Sequence, residues 1–166
     1  MSYKKIPAAE LIDALRARGL TLSCAESCTG GWFAKCMVDT PGASAVFRGG
    51  VVSYATEVKE DVLCVRPSTV EKNTVYSTAV ACEMAKGVRK LMKTDLSVSV
   101  TGVAGPDPQD GKPVGCVCIG VSRGGLTYAE ECMFRGSRMA IRRAAVRKMF
   151  EILLQDISEN TEKGDN

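Results

Sequence analysis

Leu20–Asp39 reads LTLSCAESCTGGWFAKCMVD, and this stretch sets the fold class. Leu20 to Ala25 has the apolar content of a short strand, and Trp32 to Asp39 reads as a helix that stops before Pro41-Gly42. Between them, Ser27, Cys28, Thr29, Gly30 and Gly31 make a tight turn. A strand that passes straight into a helix through a glycine-rich turn is the building unit of α/β proteins. Such a turn sets a side-chain oxygen beside free backbone N–H groups, which suits both nucleophilic attack and anion binding.

The pattern extends in both directions. Upstream, Pro7 suits a first helical turn, and Ala8, Leu11, Ile12 and Leu15 recur at helical spacing until Gly19. Downstream, Val46 to Ala55 reads as a strand through Phe47, Val51, Val52 and Tyr54, and its Gly49-Gly50 pair predicts a bulge or a closely approaching backbone. Thr56 is the expected N-cap of a helix over Glu57 to Cys64. Ser77 is the expected N-cap of a longer helix with Val80, Met84, Val88, Leu91 and Met92 on one face. Leu96, Val98 and Val100 alternate with small polar residues in a strand that leaves through Thr101 to Pro106. Asp107 to Lys112 reads as a surface loop. Val114 to Val121 is nearly all apolar, as a strand covered on both faces would be. Gly124-Gly125 joins it to Leu126–Phe134 as an antiparallel hairpin. A last helix is expected over Ser137 to Ile157, with 158–166 a frayed polar tail. With no internal repeat or linker, 1–157 reads as one domain. The expected architecture is a three-layer α/β/α sandwich on a mixed, mostly parallel sheet of about five or six strands.

Composition narrows the function. The chain has 166 residues, 45% hydrophobic and 25% charged, as in an ordinary globular protein. No apolar run is long enough to span a bilayer, and the amino end lacks a signal-peptide core. A cytoplasmic protein without a membrane partner is the default expectation. A net charge of +3 is too small to imply a nucleic-acid partner, and aromatics for base stacking are only 5%. The charge is uneven, however: six basic and no acidic residues lie between Arg135 and Lys148. Eight cysteines occur without any C-x-x-C pair, so buried free thiols are expected in place of a metal or disulfide framework.

No histidine is present. A Ser27 nucleophile would therefore pass its proton elsewhere, and a lysine is the leading candidate. The turn matches neither the Walker A spacing nor the G-x-S-x-G elbow. Taken alone it could be an anion cradle, a nucleophile platform or a plain strand–helix connection. Cys28 competes with Ser27, because a thiol at a helix N-terminus has a lowered pKa. Lys59, in the first turns of a helix, could be a general base with a depressed pKa or a surface charge among Glu57, Glu60 and Asp61. Thr101–Pro106 could line a ligand site or simply connect strands. Arg135, Arg138 and Arg142 could meet a phosphate, form a solvated basic face or bind nucleic acid.

Taken together, Ala25–Gly31, Val52-Ser53-Tyr54-Ala55 with Lys59 following, Thr101–Pro106, Lys112–Gly115 and Phe134–Arg138 closely resemble the CinA C-terminal domain family, over roughly residues 5 to 155. The characterised activity of that family is nicotinamide-nucleotide amidase. The resemblance implies hydrolysis of the carboxamide of nicotinamide mononucleotide, with no cofactor or metal. By motif it implies Ser27 as nucleophile, Lys59 as base, and Tyr54 as proton relay or orienting hydroxyl. Amides of Cys28, Thr29, Gly30 and Gly31 would hold the oxyanion. Arg138 or Arg142 would meet the substrate phosphate, with Thr101, Gly102, Ala104 and Gly105 lining the pocket. Two departures fall near that phosphate site: Ser137 stands where an acid is usual, and Arg135 where proline is common. The resemblance also leaves open a homodimer or higher assembly, and a stand-alone form lacking the amino-terminal domain of longer relatives. A catalytically silent relative that binds a nucleotide, a protein partner or nucleic acid is the alternative.

Overall fold

A computed structural model describes residues 6–160. Five strands form one sheet: β1 (Leu22–Glu26), β2 (Phe47–Val52), β3 (Leu96–Gly102), β4 (Cys116–Arg123) and β5 (Leu126–Met133). Their spatial order is β2-β1-β3-β4-β5. β1 runs parallel to both β2 and β3, whereas β4 is antiparallel to both β3 and β5. Only β4 therefore runs against the rest, which is the mixed, mostly parallel sheet expected.

Helices cover both faces. α1 (Ala8–Ala17), α2 (Trp32–Val38) and α6 (Arg138–Glu159) pack on one side, where Leu11, Leu15, Phe33, Met149 and Phe150 join Leu22, Val98 and Ile119 in a continuous core. On the other side lie α3 (Thr56–Asp61), α4 (Pro67–Asn73) and α5 (Thr78–Met92), where Val80, Met84 and Val88 pack with Ala25, Leu63 and Val65.

The small polar residues of β3 have a packing role. Ser97 Oγ donates to Ala85 O at 2.7 Å and Ser99 Oγ to Ala81 O at 2.6 Å, tying the sheet to α5. Both serines are fully buried, and each hydroxyl is satisfied by a helix carbonyl. The Gly49-Gly50 pair does both things expected of it. Register shifts between Leu22 and Ser23, skipping Arg48, and a Cβ on Gly50 would lie 2.5 Å from Cys24 O.

Several expectations need correction. Ala55, not Thr56, is the N-cap of α3; Thr56 is its first helical residue, and no side chain caps the helix. That helix also ends at Asp61, short of Cys64, which takes a left-handed φ of 57°. α4 has no counterpart in the sequence reading, because it buries only Thr69 and so carries no apolar stripe. Ser77 does cap α5, accepting from the amide of Val80, and Ser137, expected as the first residue of the last helix, is the N-cap of α6, accepting from the amide of Ala140. α6 continues to Glu159; the tail expected from 158 otherwise lies outside the described residues, as does the amino end before Ile6. All eight cysteines are free thiols. No helix among the described residues is long and apolar enough to cross a membrane.

Candidate active site

Ser27 follows directly on β1, and its amide donates to Val100 O at 3.1 Å, which fixes it to the carboxyl end of the neighbouring β3. Glu26 O accepts from Ser53 N at 2.8 Å, tying the end of β1 to the segment after β2. That segment leads into α3, and α3 carries Lys59. Three consecutive strand ends are thereby drawn together, as at the carboxyl edge of other α/β sheets.

Lys59 points inward and is only 2% exposed. Its Nζ donates to Ser27 Oγ at 3.2 Å, to Ser53 O at 2.6 Å and to Tyr54 O at 3.3 Å. No carboxylate lies within ion-pair distance of it among the described residues. Burial lowers its pKa below the ordinary lysine value, opposed only in part by Cys28 and Glu57. The surface-charge alternative is thereby removed.

Cys28 goes the other way. It is buried, and that burial pushes its thiol up to about 12, with Arg142 and Arg138 only partly countering. The lowered pKa expected at the start of a helix does not arise, because burial outweighs it, and the nearby Glu26 carboxylate, which occupies the end of α2, adds to the rise. Glu26, 1% exposed, turns back from β1 and accepts from Gly31 N at 3.1 Å, Phe33 N at 3.1 Å, Ala34 N at 2.9 Å and Thr29 Oγ1 at 2.6 Å. Sequence reading gave Glu26 no role. Its signal was available: a lone acid between an apolar strand and a helix start is placed to cap that helix.

The expected anion cradle is correspondingly smaller. Gly31 N is held by Glu26, and Gly30 N donates to Ser27 O at 3.1 Å. Of the four amides, those of Cys28 and Thr29 make no hydrogen bond to oxygen among the described residues.

A cleft of about 300 Å³ opens over the pair, lined by Ser27, Cys28, Tyr54, Lys59, Tyr76, Gly102, Ala104, Gly105 and Arg138, with Asp107 and Gln109 at the loop beyond β3. Thr101 does not line it; its Oγ1 is buried and donates to Val75 O at 2.8 Å. Thr29, Gly30, Gly31 and Arg142 border a separate, shallower surface with Trp32 and Met139. Arg142 is committed to the turn: Nε donates to Cys28 O at 2.9 Å and one terminal NH2 to Thr29 O at 2.8 Å, with the guanidinium 5.5 Å from the Trp32 ring centroid. Arg138 is the guanidinium at the cleft, donating to Gly105 O and, at 3.3 Å, to Tyr54 Oη. The Tyr54 side chain is 64% exposed at the rim, while its carbonyl faces Lys59. With Lys59 already in direct contact with Ser27, no relay through that hydroxyl is needed. Tyr76, Asp107 and Gln109 had no sequence signal, since only the loop paths bring them to the cleft.

A serine in direct contact with a buried lysine that has no carboxylate partner, beside amides that donate to no oxygen, can carry out acyl transfer. Comparison with known proteins agrees in family. The model of the CinA C-terminal domain matches residues 4–157. The chain is 43% identical over 153 residues to the nicotinamide-nucleotide amidohydrolase PncC of Shigella flexneri, covering 90% of this chain and 92% of that protein. It is also 44% identical over 150 residues to a Bacillus velezensis protein named for competence-damage induction, but covers 36% of it. The chain thus spans about a third of the length of such longer curated relatives. Among solved structures, the competence damage-inducible protein A of Klebsiella pneumoniae superposes with a TM-score of 0.89 at 34% identity, covering 91% of this chain and 94% of that one. A competence or damage-inducible protein of Enterobacter asburiae gives 0.88 at 31% identity, covering 90% and 95%.

Proposed function

The chain belongs to the CinA C-terminal domain family, and on that premise we propose that it hydrolyses the carboxamide of nicotinamide mononucleotide to nicotinate mononucleotide and ammonia. The observation that carries the reading is the 3.2 Å contact between Lys59 Nζ and Ser27 Oγ in a site without histidine. The likeness to the Shigella flexneri amidohydrolase supplies the substrate.

The surroundings of Lys59 accommodate a neutral base once Nζ gives up the proton it directs at Ser27 Oγ. An uncharged amine has two N–H donors and one lone pair. The carbonyls of Ser53 and Tyr54 take the two donors, which leaves the lone pair to face Ser27 Oγ. The hydroxyl then donates to Nζ, and Lys59 accepts its proton as Oγ attacks the carboxamide carbon. The amides of Cys28 and Thr29 receive the developing oxyanion. Lys59 returns the proton to the leaving nitrogen, ammonia departs, and an ester to Ser27 remains. Water, deprotonated by Lys59, attacks that ester; nicotinate mononucleotide leaves and Ser27 recovers its proton. Arg138, the guanidinium at the cleft, meets the phosphate.

Incubating the purified protein with nicotinamide mononucleotide tests this reading. Ammonia and nicotinate mononucleotide should appear in equal amounts. Failure to form either, with nucleotide binding intact, would support a binding protein in place of an amidase.

A further inference from the structure

We infer that Glu26 is a positioning residue for the nucleophile: its buried carboxylate closes the 27–31 turn and so holds Ser27 against Lys59. The inference rests on the acyl-transfer reading of the site.

Glu26 does not line the cleft and makes no hydrogen bond or ion pair with Lys59, so it acts through the turn. The turn has little rigidity of its own, since Gly30 and Gly31 take left-handed φ values of 63° and 91°. Two oppositely charged groups hold it from its two polar sides. Glu26 accepts from one hydroxyl and three amides of residues 29 to 34. Arg142, reaching from α6, donates to the carbonyls of Cys28 and Thr29. Between these anchors the Ser27 amide is bonded to Val100 O of β3, which holds the backbone that carries Oγ.

Glu26 also decides which amides are left over. A carboxylate seated on Gly31, Phe33 and Ala34 closes the start of α2 to any anion from solution. Among residues 28 to 31, only Cys28 and Thr29, nearer the nucleophile, keep N–H groups that donate to no oxygen. Because Glu26 finds no cationic partner within ion-pair distance among the described residues, its charge is balanced by these amides. Loss of the charge therefore loosens the turn directly.

The test uses the full chain with two readouts. One is kcat and KM for nicotinamide mononucleotide. The other is the rate at which a fluorophosphonate captures Ser27, which needs a poised nucleophile but no nucleotide recognition. Glu26→Gln keeps the size of the side chain and presents an amide to donors that need an acceptor. It should lower kcat and the capture rate together by about 10²-fold, with KM changed less than about twofold, because a small displacement of a reacting atom costs about that much. Thr29→Val removes one of the four donors and should give a fall of about tenfold in both. Circular dichroism confirms folding, and if Glu26→Gln does not fold, Thr29→Val decides on the same criteria.

A folded Glu26→Gln protein with kcat and capture within twofold of wild type overturns the inference. A rise in KM alone also overturns it, by assigning Glu26 to substrate binding. If wild type is captured at Ser27 but leaves the nucleotide intact, and Glu26→Gln slows capture, the role of Glu26 stands while the proposed substrate falls. If wild type is not captured at all, Ser27 is no nucleophile and both fall.

Discussion

Lys59 Nζ meets Ser27 Oγ at 3.2 Å and is held there by main-chain carbonyls, not by a carboxylate. The difference matters for proton transfer. A carboxylate partner would stabilise the ammonium and raise its pKa, whereas carbonyl acceptors hold the amine in place while burial favours its neutral form. A lysine among carbonyls can orient itself and still act as a base.

Ser27→Ala and Lys59→Met should each lower ammonia release from nicotinamide mononucleotide by a factor on the order of 10³ or more, and the double variant should be little worse than either. Nucleotide binding, followed by calorimetry, should persist in all three. Independent, additive losses would mean that the two side chains do not act as one unit.

The pH profile should rise from the acid side, because only neutral Lys59 can accept the Ser27 proton. Burial sets the midpoint of that limb in kcat/KM below the ordinary lysine value of 10.5. Stability should move the same way. The folded protein releases the Lys59 proton at a lower pH than the unfolded chain does, so the unfolded chain binds more protons between the two values. Burial of Lys59 thus costs most at pH below its folded-state value, and the cost fades as pH rises through that window toward 10.5. Thermal unfolding of wild type and Lys59→Met across this range should diverge accordingly; parallel curves would contradict the assignment.

Arg138 and Arg142 should behave differently although they lie one turn apart on α6. Arg138→Ala should raise KM for the nucleotide by about tenfold to a hundredfold, the weight of a lost charge-assisted contact. It should leave the phosphate-free nicotinamide riboside unaffected. Arg142→Ala frees the carbonyls of Cys28 and Thr29, so it should lower kcat and the melting temperature while sparing KM. The reverse pattern would place the phosphate on the other arginine.

Gly87→Ala tests the packing of α5. An alanine inside a helix normally adds about 1 kcal/mol of stability. Here the new Cβ would lie 2.0 Å from Leu63 O, so the sign should reverse, to a loss of about 1–3 kcal/mol in denaturant unfolding. An unchanged midpoint would show that the 61–66 segment can yield.

Local structure was legible from the residues alone. The helical spacing of Ala8, Leu11, Ile12 and Leu15, the capping serine Ser77, and the nearly unbroken apolar run of β4 each state their structure within a few residues. The strand–turn–helix at Leu20–Asp39 therefore announced an α/β sheet, and motifs along the whole chain pointed to the family and, through it, to Ser27 and Lys59. Partnership over distance was not legible. Cys28, Thr29, Gly30 and Gly31 read as anion donors because an unoccupied helix start offers its amides, but in the fold Glu26 takes the Gly31 amide and Ser27 O takes that of Gly30. Arg138 and Arg142 were equivalent on a helical wheel; only the packing of α6 sends one to the cleft and the other to the turn. Cys28 looked activated until burial raised its pKa. Desolvation and hydrogen-bond competition depend on what the folded chain places nearby. Tertiary structure alone decided those two things, and with them which residues are left free for chemistry.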